Sequence, residues 1–194
     1  VPKLIRIAFI GLLFLITGCS TLNVRTDYEP DYDFSSLKTY AWLQTKAPST
    51  DIRINNSLII NRVINAINRE LQAKGYTLVA EDKADFYVNW FGGIQEKIRQ
   101  ETINTFYGGI GYGYGPWTYG GFWPAYSQTY DVEYQEGTLI IDIADSKSKK
   151  LIWRGTGQDY VQDQDTPEKI TKGINDTVTS ILSKFPPEKK AAEK

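Results

Sequence analysis

Two stretches of the chain repeat their apolar residues at helical spacing, and most of what lies around them alternates. That switch of period restricts the fold more than any other feature. Ile54, Leu58, Ile60, Val63, Ile64, Ile67 and Leu71 recur between Asp51 and Lys74, a spacing that predicts an amphipathic helix. Gly75 stands where its C-terminal cap belongs. A second stripe, Ile170, Ile174, Val178, Ile181 and Leu182, follows Thr166-Pro167-Glu168 and stops at Pro186-Pro187. That triplet supplies a cap residue, a proline for the first helical position and an acid for the first turn. Elsewhere the period is two. Leu22, Val24 and Thr26 alternate with polar residues, and Lys38 to Leu43 brings Tyr40 and Trp42 to one face. Phe86, Val88 and Trp90 share one face while Tyr87, Asn89 and Phe91 share the other, and Gly92-Gly93 predicts a bulge or bend. Leu139, Ile141 and Ile143 lead into a polar turn, Asp145 to Lys149, and Leu151 and Trp153 open the return strand. Strand, strand, helix, about three long strands, helix is the order. It predicts an α+β domain of two layers, a mostly antiparallel sheet with two amphipathic helices packed on one face.

One segment fits neither period. Residues 106–126 hold nine aromatics, seven glycines, two prolines and no charge. Glycine at this density forbids a stable helix, and the segment joins two long strand candidates, so residues 106–127 are expected to cap a long hairpin. Three readings stay open for it. It is a surface loop covering an open end of the sheet. It is a contact surface, in which Tyr112, Tyr114, Trp117, Tyr119, Phe122 and Trp123 stack on glycan rings or fill a protein pocket, since tyrosine and tryptophan give large contact area at low entropy cost. Or it lies at lipid headgroup level, which Trp and Tyr favour. The run "GYGYG" within it has no strand-to-helix setting and no Lys-Ser or Lys-Thr ending, which makes it a poor phosphate loop.

The N-terminus carries an address. Lys3 and Arg6 precede an uninterrupted apolar and glycine run of ten residues, Ile7 to Ile16. A bilayer core needs about 20, so the run reads as the h-region of a secretory signal. It ends in Ile16-Thr17-Gly18-Cys19, which resembles the lipobox of bacterial lipoproteins, and Cys19 is the sole cysteine. The resemblance implies cleavage after residue 18, a diacylglyceryl thioether on Cys19 and acylation of the new amine. Ser20 in the next position, by analogy with Gram-negative sorting, implies a periplasm-facing anchor in the outer membrane. The 176 residues left would carry 20 basic and 23 acidic side chains, enough chain for one domain and no basic stripe for nucleic acid. The expected organisation is a signal peptide over 1–18, one domain over 19–185, and a disordered charged tail over 186–194.

Five stretches carry a family likeness: "DYDFSSLKTYAW", "LQAKGY", "ADFYVNW", "GTLIIDIADSKSKKLIWRG" and "ILSKFPP". In that order they resemble the envelope lipoproteins grouped as domain of unknown function 4136. The resemblance spans essentially the whole mature chain and implies a lipid-anchored domain with no assigned activity, hence no catalytic residues to carry over.

Side-chain chemistry is sparse. There is no histidine, and the lipobox resemblance implies that the sole cysteine, Cys19, carries lipid, which removes Ser-His-Asp and Cys-His triads and the usual zinc sites. No cofactor is expected. Carboxylate-only or Ser-Lys catalysis stays open. Asp142 and Asp145 read as strand and turn residues. Asp159, Asp163 and Asp165 read as a solvated loop lacking the glycine and distal glutamate of a calcium loop. Lys147, Lys149 and Lys150 read as a soluble turn, and Arg154 as an ion-pair or stacking residue. The expectation is a non-catalytic outer-membrane lipoprotein, a binding or assembly module touching a periplasmic protein or peptidoglycan through the aromatic loop. The alternative is a structural factor using that loop as a second membrane anchor.

Overall fold

The computed structural model describes residues 22–43, 49–105, 126–161 and 166–188. Its elements run β1 (Asn23–Tyr28), β2 (Thr39–Trp42), α1 (Ser57–Ala73), β3 (Thr77–Leu78), β4 (Phe86–Thr105), β5 (Tyr126–Asp145), β6 (Leu151–Val161) and α2 (Pro167–Leu182). The six strands form one sheet in the order β1-β6-β5-β4-β2-β3. β1, β6, β5 and β4 pair antiparallel, while β2 runs parallel to both β4 and β3. This is the two-layer α+β arrangement that the change of period predicts. The parallel corner at β2 and the two-residue β3 have no signature in the sequence, because two residues carry no period.

Alternation sorts the sheet cleanly. Phe86, Val88, Trp90, Ile141, Ile143 and Trp153 point to one face and are buried there. Against them lie Val63, Ala66, Ile67 and Leu71 of α1 and Val178, Ile181 and Leu182 of α2, with Phe34 and Phe185 closing one end of the same cluster. Each large apolar side chain so enclosed contributes about 1.5–3 kcal/mol. Phe185 packs edge-on to Trp153 with ring centroids 5.2 Å apart. The helices touch each other as well: Thr179 donates its hydroxyl to Glu70 Oε1 at 2.8 Å.

Helix α1 begins later than its apolar spacing implies. Asp51 closes a separate turn, its carbonyl accepting from Ile54 and Asn55 N–H at 3.0 and 2.8 Å. Asn56 then resets the backbone to the extended region (φ −135°, ψ 152°) and caps the helix by accepting from Ile59 N–H. As a result Leu58 leaves the predicted stripe and is 66% exposed, while Ile59 packs against the core. The C-terminus ends as Gly75 predicts. At φ +89°, Gly75 donates its N–H to Gln72 C=O at 2.9 Å and Tyr76 donates to Leu71 C=O at 3.0 Å, a Schellman closure. In α2, Thr166 caps and Pro167 opens the helix as predicted.

The expected bulge at Gly92-Gly93 is not there. The β4–β5 register runs through Gly92↔Leu139 and Gly93↔Thr138 without a shift. Gly92 is small for another reason: a Cβ there would lie 3.1 Å from Ile54 Cγ2 and 3.2 Å from the Trp90 ring. The irregularity sits instead between β5 and β6 at Ile143/Ala144.

Two ends of the domain differ. At one, the Asp145–Lys150 turn and Phe185 close the core. At the other, β6 stops pairing at Gln135↔Val161, but β4 and β5 continue together from Lys97↔Tyr134 to Thr105↔Tyr126. Those nine further pairs form a two-stranded ribbon about 30 Å long. β1 starts at this ribbon end, because Asn23 pairs with Gln158. Both helices also begin here, Ile54 lying against Gly92 ahead of α1 and α2 following β6.

Candidate functional site

Where the sheet outruns the first turns of the two helices, the core opens into an apolar groove of about 330 Å³, at the lower end of the ~300–1,000 Å³ usual for ligand pockets. Trp90, Gly92, Leu139 and Gly157 form its floor on the sheet. Ile54, Ile59 and Val63 form one wall, and Ile170, Gly173 and Ile174 of α2 the other. The floor is shaped by glycine. A Cβ on Gly157 would lie 2.8 Å from Thr177 Cγ2 and 2.9 Å from Ile181 Cδ1, so helix α2 approaches the sheet only because that side chain is missing. At Gly173 the situation is reversed, since a Cβ there would meet nothing within 4 Å.

Polar groups gather at the rim of the groove. Arg53 grips Asp51 with two bonds, Nε to Oδ1 at 3.0 Å and Nη2 to Oδ2 at 2.7 Å. It also reaches the Ile94 carbonyl at 3.3 Å and Gln135 Oε1 at 3.4 Å. The side-chain and backbone bonds from Arg53 hold the Asp51 carboxyl below the usual carboxylate range. The turn before α1 is thereby tied to the sheet. Gln135, Asp159, Tyr160 and Lys169 complete the rim. A groove of this kind offers burial to an apolar ligand and orientation at its mouth.

Of the residues singled out in the sequence, Asp159 lines the groove, and it does so from strand β6 rather than from the solvated loop expected of it; the others fall elsewhere. Cys19, Tyr112, Tyr114, Trp117, Tyr119, Phe122 and Trp123 lie outside the described residues, as do Asp163 and Asp165. Asp142 and Asp145 take the structural roles expected of them. Asp142, on the sheet face away from the helices, receives Arg154 Nε at 2.7 Å and Nη2 at 2.6 Å, and that pairing raises the arginine's pKa further. Asp145 organises the β5–β6 turn. Its Oδ1 accepts from the Ser148 N–H at 2.6 Å and hydroxyl at 2.7 Å, and its Oδ2 accepts from Tyr32 at 2.9 Å. The Ser148 bonds, with help from Tyr32, keep its carboxyl below the usual range despite burial. Burial, then the bond to Asp145, pushes the Tyr32 phenol up to about 12. Lys149, in the left-handed region at φ 59°, lays its ammonium 4.1 Å from the Tyr87 ring centre and donates to its hydroxyl at 2.7 Å. Among the described residues no three metal-ligating side chains gather.

The groove itself is absent from the sequence reading. Its one visible signal is Gly173, a glycine on the inward stripe of a helix, where it costs stability.

The profile of the family described as "Domain of unknown function (DUF4136)" matches residues 24–187. The chain belongs to that family. The DUF4136 profile thus covers the whole sheet from Val24 onward, both helices and the groove. Among curated proteins none matches. Among solved structures, the DUF4136 domain is similar to a DUF4136 family protein from Bacteroides thetaiotaomicron, at TM-score 0.50 and 16% identity, over 86% of this chain and 97% of that one. It is also similar to a PDZ domain protein from Parabacteroides distasonis, at TM-score 0.53 and 16% identity, over 93% of this chain. It spans only 39% of the length of that protein. A PelC dodecamer structure from Paraburkholderia phytofirmans is similar at TM-score 0.47 and 11% identity, over 84% and 96% of the two chains. At such identities the likeness concerns the fold alone.

Proposed function

We propose that the chain is a non-catalytic lipoprotein of the bacterial envelope, held at the periplasmic leaflet of the outer membrane by acyl chains on Cys19. It works as a binding or assembly module through the Gly/aromatic tip of its β4–β5 hairpin, touching an envelope protein or peptidoglycan. The observation that supports this reading is the shared end: β1 begins at Asn23 beside Gln158, and the ribbon leaves the sheet at the same end. Cys19 precedes Asn23 by four residues, at most about 14 Å of chain. An anchor there brings the ribbon end to the leaflet and directs the aromatic tip at envelope components rather than at bulk periplasm.

The same geometry favours a second reading, in which the tip meets lipid headgroups and acts as a second anchor. The ribbon stem carries Lys97, Arg99, Glu101, Asp131 and Glu133, so only the charge-free tip suits the interface.

Two measurements separate these readings. Cys19→Ser should move the protein out of the membrane fraction; unchanged fractionation overturns the anchor. Replacing residues 107–126 by a Gly-Ser linker, in a chain starting at Ser20, should abolish sedimentation with peptidoglycan under the first reading and with liposomes under the second. If the unaltered domain binds neither, a photoreactive residue at Trp117 in cells should capture a protein partner, and capture of none rejects the tip as a contact surface.

A further inference from the structure

Gly173 sits in the second turn of α2, on the stripe it shares with Ile170, Ile174 and Thr177. Glycine inside a helix is unfavourable relative to alanine, and at Gly155 and Gly157 crowding by Ile181 explains the missing side chain. At Gly173 nothing crowds: a Cβ would meet no atom within 4 Å. The helix gives up stability there, and what it gains is open space above the Leu139 floor of the groove. The geometry points to the groove as a berth for one acyl chain of the lipid on Cys19, an inference that rests on the anchor proposed above.

Three observations select that occupant. The lining is mostly apolar, with Arg53, Asp159 and Lys169 its only charged members among the described residues, as suits a hydrocarbon chain. Val24 of β1 pairs with Gly157, which lines the groove. The four residues from Cys19 to Asn23 therefore hold anything attached to the cysteine within about 14 Å of the start of β1. A tether that short gives its cargo an effective concentration in the millimolar range, an advantage over any lipid that must arrive by diffusion. A chain passing from bilayer hydrocarbon into the groove gains little from apolar solvation, so the short tether and the fit of the groove decide occupancy. One chain lodged there holds the groove and the start of β1 close to the leaflet while the others remain in the bilayer.

The test uses the mature protein from cells fed a diazirine-bearing fatty acid. It is purified in detergent, irradiated and digested with trypsin. Acyl adducts are expected on the peptide Gly173–Lys184 and on the β5 peptide carrying Leu139. Gly173→Phe, from the helix side, and Leu139→Trp, from the floor, should each remove most of those adducts, because the added ring fills the space the chain would occupy. Gly173→Ala, which fills less of that space, should lower them less than Gly173→Phe does. Thermal melts followed by circular dichroism identify which blocking variants keep the fold, and one folded variant suffices. Label present on the protein but missing from the groove peptides, or adducts unchanged in a folded blocking variant, overturns the inference and leaves the anchor standing. An intact mass without label removes the anchor, and this inference with it.

Discussion

Gly155 leaves no room for a methyl group. A Cβ there would lie 2.4 Å from Ile181 Cγ2 and 2.4 Å from the Trp153 ring, both belonging to side chains with no exposed surface. Neither neighbour can retreat, so Gly155→Ala should cost about 1–3 kcal/mol by overpacking, read as a lower urea midpoint at unchanged slope. Gly173→Ala is the opposite case and should raise stability by about 0.5–1 kcal/mol. The sequence lists both as glycines in regular elements and cannot tell them apart, since the difference lies in what crosses over from another element. Trp153 was legible as a strand residue, yet its indole N–H is buried with no hydrogen-bond partner among the described residues, which local pattern could not foretell. Asp142, Arg154 and the turn role of Asp145 were legible, because the partners that define them lie on the adjacent strand or within the same turn, whereas the Tyr32 bond to Asp145 spans 113 positions and left no local signal.

At the scale of elements, local signals carried furthest where the structure is local. The Thr166-Pro167 start and the Gly75 cap are readable because three or four consecutive residues decide them. The start of α1 is harder, since Asp51 and Asn56 are both competent caps; the structure uses the first for a turn and the second for the helix. Asn56→Ala should therefore cost about 1 kcal/mol, measured by denaturant titration, whereas Ser57→Ala should leave the midpoint nearly unchanged. The ribbon supplies a contrasting expectation. Among its described residues none belongs to the core cluster, and a lone two-stranded hairpin is marginal in water. Replacing Lys97 through Tyr134 by a two-residue turn between Glu96 and Gln135 should leave the melting temperature within about 3 °C of the parent, because a small stability change moves a domain of this size only a few degrees. The groove depends on two helices, a sheet and a rim turn converging from across the chain, so apart from Gly173 no local pattern announces it.

For the whole molecule, pH is the simplest probe. With no histidine, no side chain with an ordinary pKa titrates between about pH 5 and 8, and the melting temperature should be flat there. Asp85 and Asp145 lie below their unfolded values. At Asp85, burial opposes the charge, but bonds from Thr39 and Lys38 prevail; at Asp145 the Ser148 bonds dominate. The stability they contribute is present above an unfolded pKa of about 3.9 and is lost as pH falls through their lower folded values. Tyr32 runs the other way. Pushed up to about 12, it contributes fully below its unfolded value near 10 and loses that contribution as pH climbs from about 10 to 12. Thermal melts in a buffer series should show both shoulders, with Tyr32→Phe softening the alkaline one.

The ribbon also governs posture. Thr105 stands twelve residues beyond Gly93, the level at which β1 starts across the ladder, or about 40 Å along the strands. Cys19 reaches at most about 14 Å past that level. With the strands upright on a leaflet, some 25 Å of charged stem would be driven into hydrocarbon, where each Lys or Arg costs roughly 2–4 kcal/mol. A chain moored at Cys19 must therefore recline, its strand axes at a shallow angle to the membrane plane, so that one broad flank of the sheet looks down on lipid and the other looks out.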